Sequence, residues 1–322
     1  ATFDVIGLFT NIIHEEGLKA MEDKLDTREV QEDPTEYIVK EMELLLNNNI
    51  FEFDEVFWKQ NVGAAMGCKP VPPYANVFMA TIDAMMKNKK GAEAILLLKR
   101  FLDDYFTIFK GSTKKLHAFF VKLNEIHPTI KFTMNHTSIR DEDLDQKCEC
   151  EEKYTIPFLD VACTVEDGRI KTDLHTKETD RNMYLLPSSC HPKQKTKAIP
   201  LSLALRVVRV CSSPEDRDKR LVELESRLLA RDYPRSMVER ALEKARKVPR
   251  QRALREVKKQ NQTQRSVLAV TFDPRLPAIS SSMAKHWRAM VGQDSHLKEV
   301  FTEPPLTAYR RQQNLRGHLI RA

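Results

Sequence analysis

Residues 95–111 read ILLLKRFLDDYFTIFKG, in which two apolar, aromatic-rich segments flank a Leu-Asp-Asp turn. This pattern is typical of a β-hairpin with a tight connection. Asp is common in turns for local reasons, so the pair Asp103-Asp104 alone says nothing about chemistry. Carboxylates on rigid strands are also the kind of ligand that Mg²⁺ prefers. The pattern therefore predicts a hairpin. The hairpin becomes a candidate metal site if further carboxylates lie close to it.

A further carboxylate lies in the opening residues, ATFDVIGLF, which are predicted to form a buried strand. A lone Asp4 is unfavourable in apolar surroundings unless it has a partner. If this strand and the hairpin are neighbours in one sheet, Asp4, Asp103 and Asp104 converge. Nucleotidyl transfer uses two divalent cations, one to lower the pKa of the attacking hydroxyl and one to steady the triphosphate. Three converging carboxylates would suit that chemistry.

Helices and short strands alternate around these two segments. Apolar spacing predicts helices over 34–48, 74–88 and 112–125, strands within 50–60 and over 129–134, and a hairpin over 156–176 with its turn at Asp167-Gly168. Residues 138–153 are predicted to form a surface loop, and the pattern becomes helical from 199. This order predicts an α+β fold: an antiparallel sheet with helices on one face, followed by a helical bundle.

Composition and charge narrow the class of protein. The 322 residues are 41% hydrophobic and 30% charged, which predicts a folded chain. The sequence contains no run of eighteen apolar residues, so no membrane span is predicted. Residues 216–265 hold 16 Lys or Arg against 8 Asp or Glu, whereas the whole chain carries a net charge of only +6. A basic helical stretch suits a polyanionic partner, although a solvated helix face would look the same.

The cysteines do not predict a metal or disulfide framework. The six Cys residues include no CxxC pair, which is typical of a reduced intracellular protein. His175, Cys190 and His191 are irregularly spaced, so we do not expect a zinc site there.

Five segments, in order, resemble consecutive motifs of reverse transcriptases. FDVIGLFTNI resembles motif A, NVGAAMGCKPVPPYANVFM motif B, LKRFLDDYFTIF motif C and LNEIHPTIKFT motif D. The stretch IPFLDVAC to SSCHP resembles the primer-grip region that follows. The residues of these motifs are most similar to those of Penelope-like retroelements, which are relatives of telomerase reverse transcriptases. The similarity is clearest in GAAMG, PPYANVFM, IHPTIKFT and the ending EPPLTAYRRQQNLRGHLIRA. The resemblance covers nearly the whole chain.

The resemblance implies a domain plan and an activity. It implies a reverse-transcriptase palm (motifs A to E) over 1–198, a helical thumb with a helix-turn-helix outline over 199–249, and a basic linker and connector over 250–322 that in relatives precedes a GIY-YIG endonuclease. The fingers are expected to be absent, so the chain is expected to be a fragment. The implied activity is RNA-directed DNA polymerisation, a nucleotidyl transfer from deoxynucleoside triphosphates to a DNA primer on an RNA template. Nuclear localisation is expected only from the life cycle of such elements.

The resemblance also implies roles for single residues. Asp4 and Asp103 would bind two Mg²⁺ ions, for which Mn²⁺ could substitute, and Asp104 would be a further ligand or an electrostatic helper. The backbone carbonyl of Val5 could also reach a metal. Phe9 matches the steric-gate position that would crowd a ribose 2′-hydroxyl, although a core Phe would look the same.

The remaining implied roles concern the nucleotide and the primer. Met66-Gly67 would pack against the incoming nucleotide and the template base, and Asn76 could position that loop. Phe158, Leu159 and Asp160 would form the primer grip, although a plain core hairpin has the same pattern. Lys131 could protonate the pyrophosphate, but a surface Lys is the simpler interpretation.

Two other functions are compatible with the sequence. One is a catalytically dead nucleic-acid-binding remnant of such an element, which would keep the basic helices. The other is a sequence-specific helix-turn-helix regulator centred on 199–250.

Overall fold

The computed structural model describes residues 1–29, 33–137, 151–152, 155–166, 168–255, 265–276, 279–291, 296 and 303–310. The chain divides into two compact units, Ala1–His175 and Thr176–Ala322. The fold is α+β, with sheets of mainly antiparallel strands and accompanying helices, as the sequence predicts. None of the helices in the described ranges is both long enough and apolar enough to cross a membrane.

The strands of the first unit form a central sheet and two smaller ones. In chain order they are β1 (Thr2–Val5), β2 (Ile50–Phe53), β3 (Val56–Lys59), β4 (Ile95–Phe101), β5 (Asp104–Phe109), β6 (Phe132–His136), β7 (Glu151–Glu152), β8 (Thr155–Phe158), β9 (Val161–Glu166) and β10 (Arg169–Leu174). The central sheet has the order β4-β5-β1-β6-β7. Strand β1 therefore lies in its middle, antiparallel to β5 on one side and to β6 on the other.

Helices of the first unit pack against one face of this sheet. They are α1 (Leu8–Asn11), α2 (His14–Asp26), α3 (Thr35–Asn47), α4 (Val71–Lys87) and α5 (Thr113–Leu123). Helix α4 carries an apolar stripe at helical spacing, and its members are all buried: Tyr74, Phe78, Met79, Ile82 and Met86. The stripe shares one core cluster with Phe3 of β1 and Tyr105 of β5. Burying a side chain of this size stabilises the fold by about 1.5–3 kcal/mol.

The smaller sheets of the first unit are hairpin structures. Strands β2 and β3 pair through a turn in which Asp54 and Glu55 both have positive φ, the pattern of a type I′ turn. Strands β8, β9 and β10 form an antiparallel meander with β9 in the centre. The turn predicted between β9 and β10 is present, with Gly168 at φ 72°; Asp167 lies outside the described residues.

The second unit contains the helical bundle. Its elements are α6 (Lys193–Val210), α7 (Pro214–Leu229), α8 (Arg235–Arg246), α9 (Arg250–Leu254), β11 (Val267–Thr271), α10 (Ile279–Val291) and β12 (Leu306–Arg310). Helices α7 and α8 confirm the predicted helix-turn-helix outline, and the break between them contains Asp232 at φ 61°. The hydroxyl of Tyr233 in this break donates to the carbonyl of Leu185 at 2.7 Å. The segment before α6 is thereby tied to the turn of the motif.

Two predicted helix starts were wrong, and prolines explain the first. Helix α4 begins at Val71 rather than 74 because two prolines occupy its first turn, where a missing N–H is tolerated. Helix α6 begins at Lys193 rather than 199 and runs through Pro200, so the predicted division at 198/199 falls inside a helix.

Two predicted loops also contain regular structure. The predicted surface loop over 138–153 contains the short strand β7, and its other residues lie outside the described ones. The predicted basic linker from 250 begins with helix α9, and 256–264 lie outside the described residues.

Candidate active site

The opening strand and the Leu-Asp-Asp hairpin are direct neighbours in the central sheet. Asp4 of β1 is the register partner of Asp104 at the start of β5, and it faces Thr133 of β6 on the other side. The backbone N–H of Val5 donates to the carbonyl of Asp103 at 3.3 Å. The condition set by the sequence, that these two segments share a sheet, is therefore met.

Strand alternation places two of the carboxylates on the same face of the sheet. Side chains along a strand alternate between faces, and directly opposed residues share one. Phe3 and Tyr105 are partners on the face covered by helices and are 1% and 0% exposed. Asp4 and Asp104, one position further along, therefore lie on the opposite face, where Asp4 is exposed and Asp104 half-buried. This second face is the carboxylate face.

The donor set on the carboxylate face suits Mg²⁺. Mg²⁺ takes hard oxygen ligands, and one or two carboxylates suffice when phosphate oxygens and waters complete the shell. Asp4 and Asp104 supply such oxygens from adjacent strands, and Asp103 lies in the adjoining turn. In the part of the chain that the structure describes, no three His, Cys, Asp or Glu side chains form a group that could hold a metal ion. The metal roles of Asp4, Val5, Asp103 and Asp104 stay predictions.

The turn that carries Asp103 has an unusual backbone. Leu102 and Asp103 form a two-residue connection between Phe101 and Asp104, and Leu102 has φ 59°. A positive φ at the first central residue alone excludes a type I′ turn, and positive φ is a conformation that usually belongs to Gly. A Leu in this conformation costs about 1–2 kcal/mol. The turn is therefore strained and has to be held by its surroundings.

Two residues that hold this turn did not stand out in the sequence: Arg100 and Asp83. The Arg100 guanidinium forms an ion pair with Asp83 of α4 at 2.8 Å. Its Nη1 also donates to the side-chain oxygen of Asn76 at 2.7 Å and to the carbonyl of Leu102 at 3.1 Å. The position of Arg100, one residue before Phe-Leu-Asp, could have indicated that it holds this turn. Its partners on α4 could not be recognised, because they are distant in sequence. The side chain of Asn76 thus contacts Arg100, and its suggested role in positioning the Met66–Gly67 loop stays a prediction.

The residues expected to contact a nucleotide lie on adjoining segments. The N–H of Ala64 donates to the carbonyl of Phe9 at 2.6 Å, which ties the loop that leads to Met66 and Gly67 to helix α1. Gly63 permits this approach, because a Cβ there would lie 2.5 Å from the Phe9 oxygen. Met66 is 73% exposed, and Gly67 has φ 94° with open space around it.

The ring of Phe9 combines features of both interpretations made from the sequence. It packs against the core of the first unit, as a core Phe does. It is also only partly buried, which leaves surface for contact with a sugar.

The predicted primer-grip hairpin lies against the carboxylate face. The Phe158 ring is 5.4 Å, centroid to centroid, from the ring of Phe106, which shares the face of Asp104 two positions before it. Leu159, at φ 52°, and Asp160 form the two-residue turn, and Leu159 is 40% exposed. The turn therefore lies on the side of the sheet that carries the carboxylates.

Lys131 has the contacts of a structural residue. Its ammonium donates to the carbonyls of Asn124, at 2.6 Å, and of His127, at 3.1 Å, just after α5 ends. A cation at a helix C-terminus stabilises the unpaired carbonyls there. This environment favours the simpler of the two interpretations made from the sequence.

Helix α8 of the second unit presents a basic stripe. Val238, Ala241, Leu242 and Ala245 are buried along one side of the helix. On the other side Arg240, Lys244 and Lys247 are exposed at helical spacing. We call these three residues the α8 stripe. It is a surface suited to contact with phosphates.

Comparisons with known proteins add a family match to part of the chain and several structural likenesses. A family model described as an animal helix-turn-helix domain matches residues 183–243. No curated protein matches the chain.

Telomerase from Candida albicans in complex with a TWJ fragment of telomeric RNA is similar with a TM-score of 0.46 and 12% identity, over 75% of this chain and 40% of that one. The Sicinivirus 3Dpol RNA-dependent RNA polymerase has a TM-score of 0.42 and 10% identity, over 76% of this chain and 50% of that one. Apo telomerase from Candida tropicalis, truncated from its C-terminal domain, has a TM-score of 0.38 and 12% identity, over 53% of this chain and 35% of that one. The chain spans half or less of the length of these proteins.

Proposed function

We propose that this chain is the catalytic part of a nucleic-acid polymerase, specifically an RNA-directed DNA polymerase of the Penelope-like type. The observation that carries the proposal is the register of β1 against β5, which sets Asp4 opposite Asp104 on an exposed face with Asp103 in the adjoining turn. Two carboxylates on adjacent strands and a third in the adjoining turn would supply the oxygen ligands that two-metal nucleotidyl transfer uses. The Penelope-like assignment rests on the order of the sequence motifs and on the residues that they contain.

The acidic residues would concentrate positive charge where phosphates react. Bound Mg²⁺ would activate the primer hydroxyl and neutralise charge that develops on the triphosphate. Asp4 and Asp103 would hold the ions, with Asp104 and the Val5 carbonyl as further oxygen donors. Carboxylates held on one face of a sheet repel one another, and a divalent ion bound between them would relieve that repulsion.

The nucleotide and the primer would meet at this face from two directions. Phe9 and the Met66–Gly67 loop, joined by the Ala64 hydrogen bond, would form one wall of the nucleotide pocket. The turn at Leu159 and Asp160 would support the primer end, because its hairpin packs on Phe106 beside Asp104.

The basic helices would hold the template–primer duplex. Phosphate contacts are independent of sequence and weaken as salt rises. The α8 stripe supplies three exposed cations on one side of a well-packed helix. An RNA–DNA hybrid would be recognised here by its shape and backbone.

Primer extension tests the proposal. The chain, restored to full length with the fingers that the sequence resemblance implies, is incubated with an RNA template, a DNA primer and deoxynucleotides, with and without Mg²⁺. We expect extension that requires the metal and that Asp4→Asn lowers on the order of 10³-fold, the effect of several kcal/mol. The matched control is Asp54→Asn, an exposed turn residue of the β2–β3 hairpin, which should keep wild-type extension. Equal activity of the two variants would remove Asp4 from the mechanism.

A second candidate is a nucleic-acid-binding protein without polymerase activity. The helix-turn-helix match over 183–243 and the α8 stripe favour it. This candidate predicts salt-sensitive duplex binding, measured by fluorescence anisotropy, with no extension at any Mg²⁺ concentration. Strong preference for one DNA sequence would favour a regulator over either polymerase or remnant.

A further inference from the structure

The side chain of Arg100 joins helix α4 to the turn that carries Asp103. Its Nε and Nη2 donate to the Asp83 carboxylate at 2.8 to 3.1 Å, and its Nη1 donates to Asn76 and to the Leu102 carbonyl. The planar guanidinium can satisfy these partners together because its donors form a fixed fork. One side chain therefore contacts two helix residues and one turn peptide.

This cluster is shielded from water and closed by Tyr105. The side chains of Arg100 and Asp83 are only 12% and 24% exposed. The Tyr105 hydroxyl donates to the same Asp83 carboxylate at 2.6 Å. A partly buried bidentate pair of this kind fixes geometry more firmly than a surface ion pair.

The bond to Leu102 decides which way the turn peptide points. The carbonyl of Leu102 belongs to the central peptide of the turn, and the next residue is Asp103. Type II′ and type I′ turns differ in the orientation of this peptide and in the sign of φ at the second central residue. Leu102 is left-handed and Asp103 is not. Rotation of that peptide would change the backbone of Asp103 and with it the direction of its carboxylate.

We propose that Arg100 is a positioning residue that holds the Asp103 turn in its active form. It acts through the Leu102 carbonyl and does not itself contact substrate. Asp83 and Asn76 serve as its fixed support on α4, the helix that follows the Met66–Gly67 loop. The inference rests on the proposed polymerase function for its catalytic consequence, but the structural part stands independently.

The test compares Arg100→Gln with Arg28→Gln. Arg28 is a matched control, because its guanidinium also donates to backbone carbonyls, those of Leu25 and Asp33, but away from the turn. In single-nucleotide extension we expect kcat of Arg100→Gln to fall about 100-fold, as for a displaced catalytic group. The nucleotide KM should stay unchanged, because ground-state binding is not affected. Arg28→Gln should match the wild type.

A second readout separates this inference from the proposed function. Hydrogen–deuterium exchange of residues 101–105 and of Val5 should rise in Arg100→Gln and not in Arg28→Gln, with α5 unchanged in both. Asn76→Ala, which removes one acceptor and leaves the Asp83 pair, should give a smaller rise and serves if Arg100→Gln does not fold.

Each outcome has a defined meaning. If the wild type shows no primer extension but hydrogen–deuterium exchange of the turn rises in Arg100→Gln, the positioning role stands and the polymerase proposal fails. If the wild type extends primers and neither exchange nor kcat changes in Arg100→Gln, the positioning role is wrong.

Discussion

The same three residues, Phe-Leu-Asp, form two hairpin turns of the first unit: 101–103 between β4 and β5, and 158–160 between β8 and β9. Both turns have two residues, and both place Leu in the left-handed region, at φ 59° for Leu102 and 52° for Leu159. Identical local sequence thus gives the same local backbone. The two turns differ in the residues that surround them, and this difference decides which turn is a candidate for catalysis.

The two turns differ most at the residue before Phe. The first has Arg100, which bonds the Leu102 carbonyl. The second has Pro157, which offers no donor at all and lies in β8, an edge strand of its sheet where Pro is tolerated. After the turn, Asp104 faces Asp4, whereas Val161 continues an ordinary strand. Both turns are tied by a backbone bond, from Val5 to the Asp103 carbonyl and from His175 to the Asp160 carbonyl. The Arg100 contact and the facing carboxylate are found at the first turn.

The largest expected contrast concerns the two turn aspartates. Asp103→Asn should lower primer extension on the order of 10³-fold, because an amide is a poorer metal ligand and carries no charge. Asp160→Asn should retain most of the activity, because this turn is proposed to contact the primer and not the metal. The measurement is extension rate at saturating Mg²⁺, with unfolding curves to verify that both variants are folded. Similar losses in both variants would erase the functional distinction between the turns.

A smaller contrast concerns the phenylalanines. Phe158 packs on Phe106, whereas Phe101 is 62% exposed. Phe158→Ala should lower the free energy of unfolding by about 1–2 kcal/mol, since a partly buried aromatic contact is lost. Phe101→Ala should change it by less than about 0.5 kcal/mol. Urea denaturation checks both values, and an equal loss would show that the second hairpin is not anchored through its ring.

The smallest effect separates strain from anchoring. Leu102→Gly and Leu159→Gly should each stabilise the protein by up to about 1 kcal/mol, because Gly removes the left-handed penalty but adds entropy to the unfolded chain. In extension assays only Leu102→Gly should lower kcat, because a Gly turn can rotate its central peptide more easily. The comparison fails if Leu159→Gly is the variant that loses activity.

Local features of the fold could be predicted from the sequence, and long-range contacts could not. The Leu-Asp-Asp turn and the α7–α8 pair follow from apolar spacing and turn residues, whereas the turn at Leu159 and Asp160, inside the hairpin predicted over 156–176, was not predicted. The partners of Arg100 are Asp83 and Asn76, which lie 17 and 24 positions away on a helix, so no local pattern marks them. The helical pattern was recognised only from 199, but α6 begins at Lys193 and continues through the buried Pro200, where packing outweighs the lost hydrogen bond.

The candidate site shows the same division. The carboxylates were recognised by residue type and motif order, but their shared face depends on the pairing of β1 with β5. The hydrogen bond between Ala64 and Phe9 also joins segments that are far apart in sequence. Contacts of this kind depend on how helices and strands pack, which spacing along the chain does not reveal.

The central position of β1 has a consequence for how the protein is made. Strand β1 leaves the ribosome well before its two neighbours in the sheet, β5 and β6, which contain Asp104 and Thr133. Closing so long a loop is entropically unfavourable and slows folding. The apolar side chains of Phe3 and Val5 therefore stay unpacked until β5 and β6 have been synthesised. The centre of the sheet can form only then. Chaperone dependence during synthesis, rather than low final stability, is the expected weakness of this architecture.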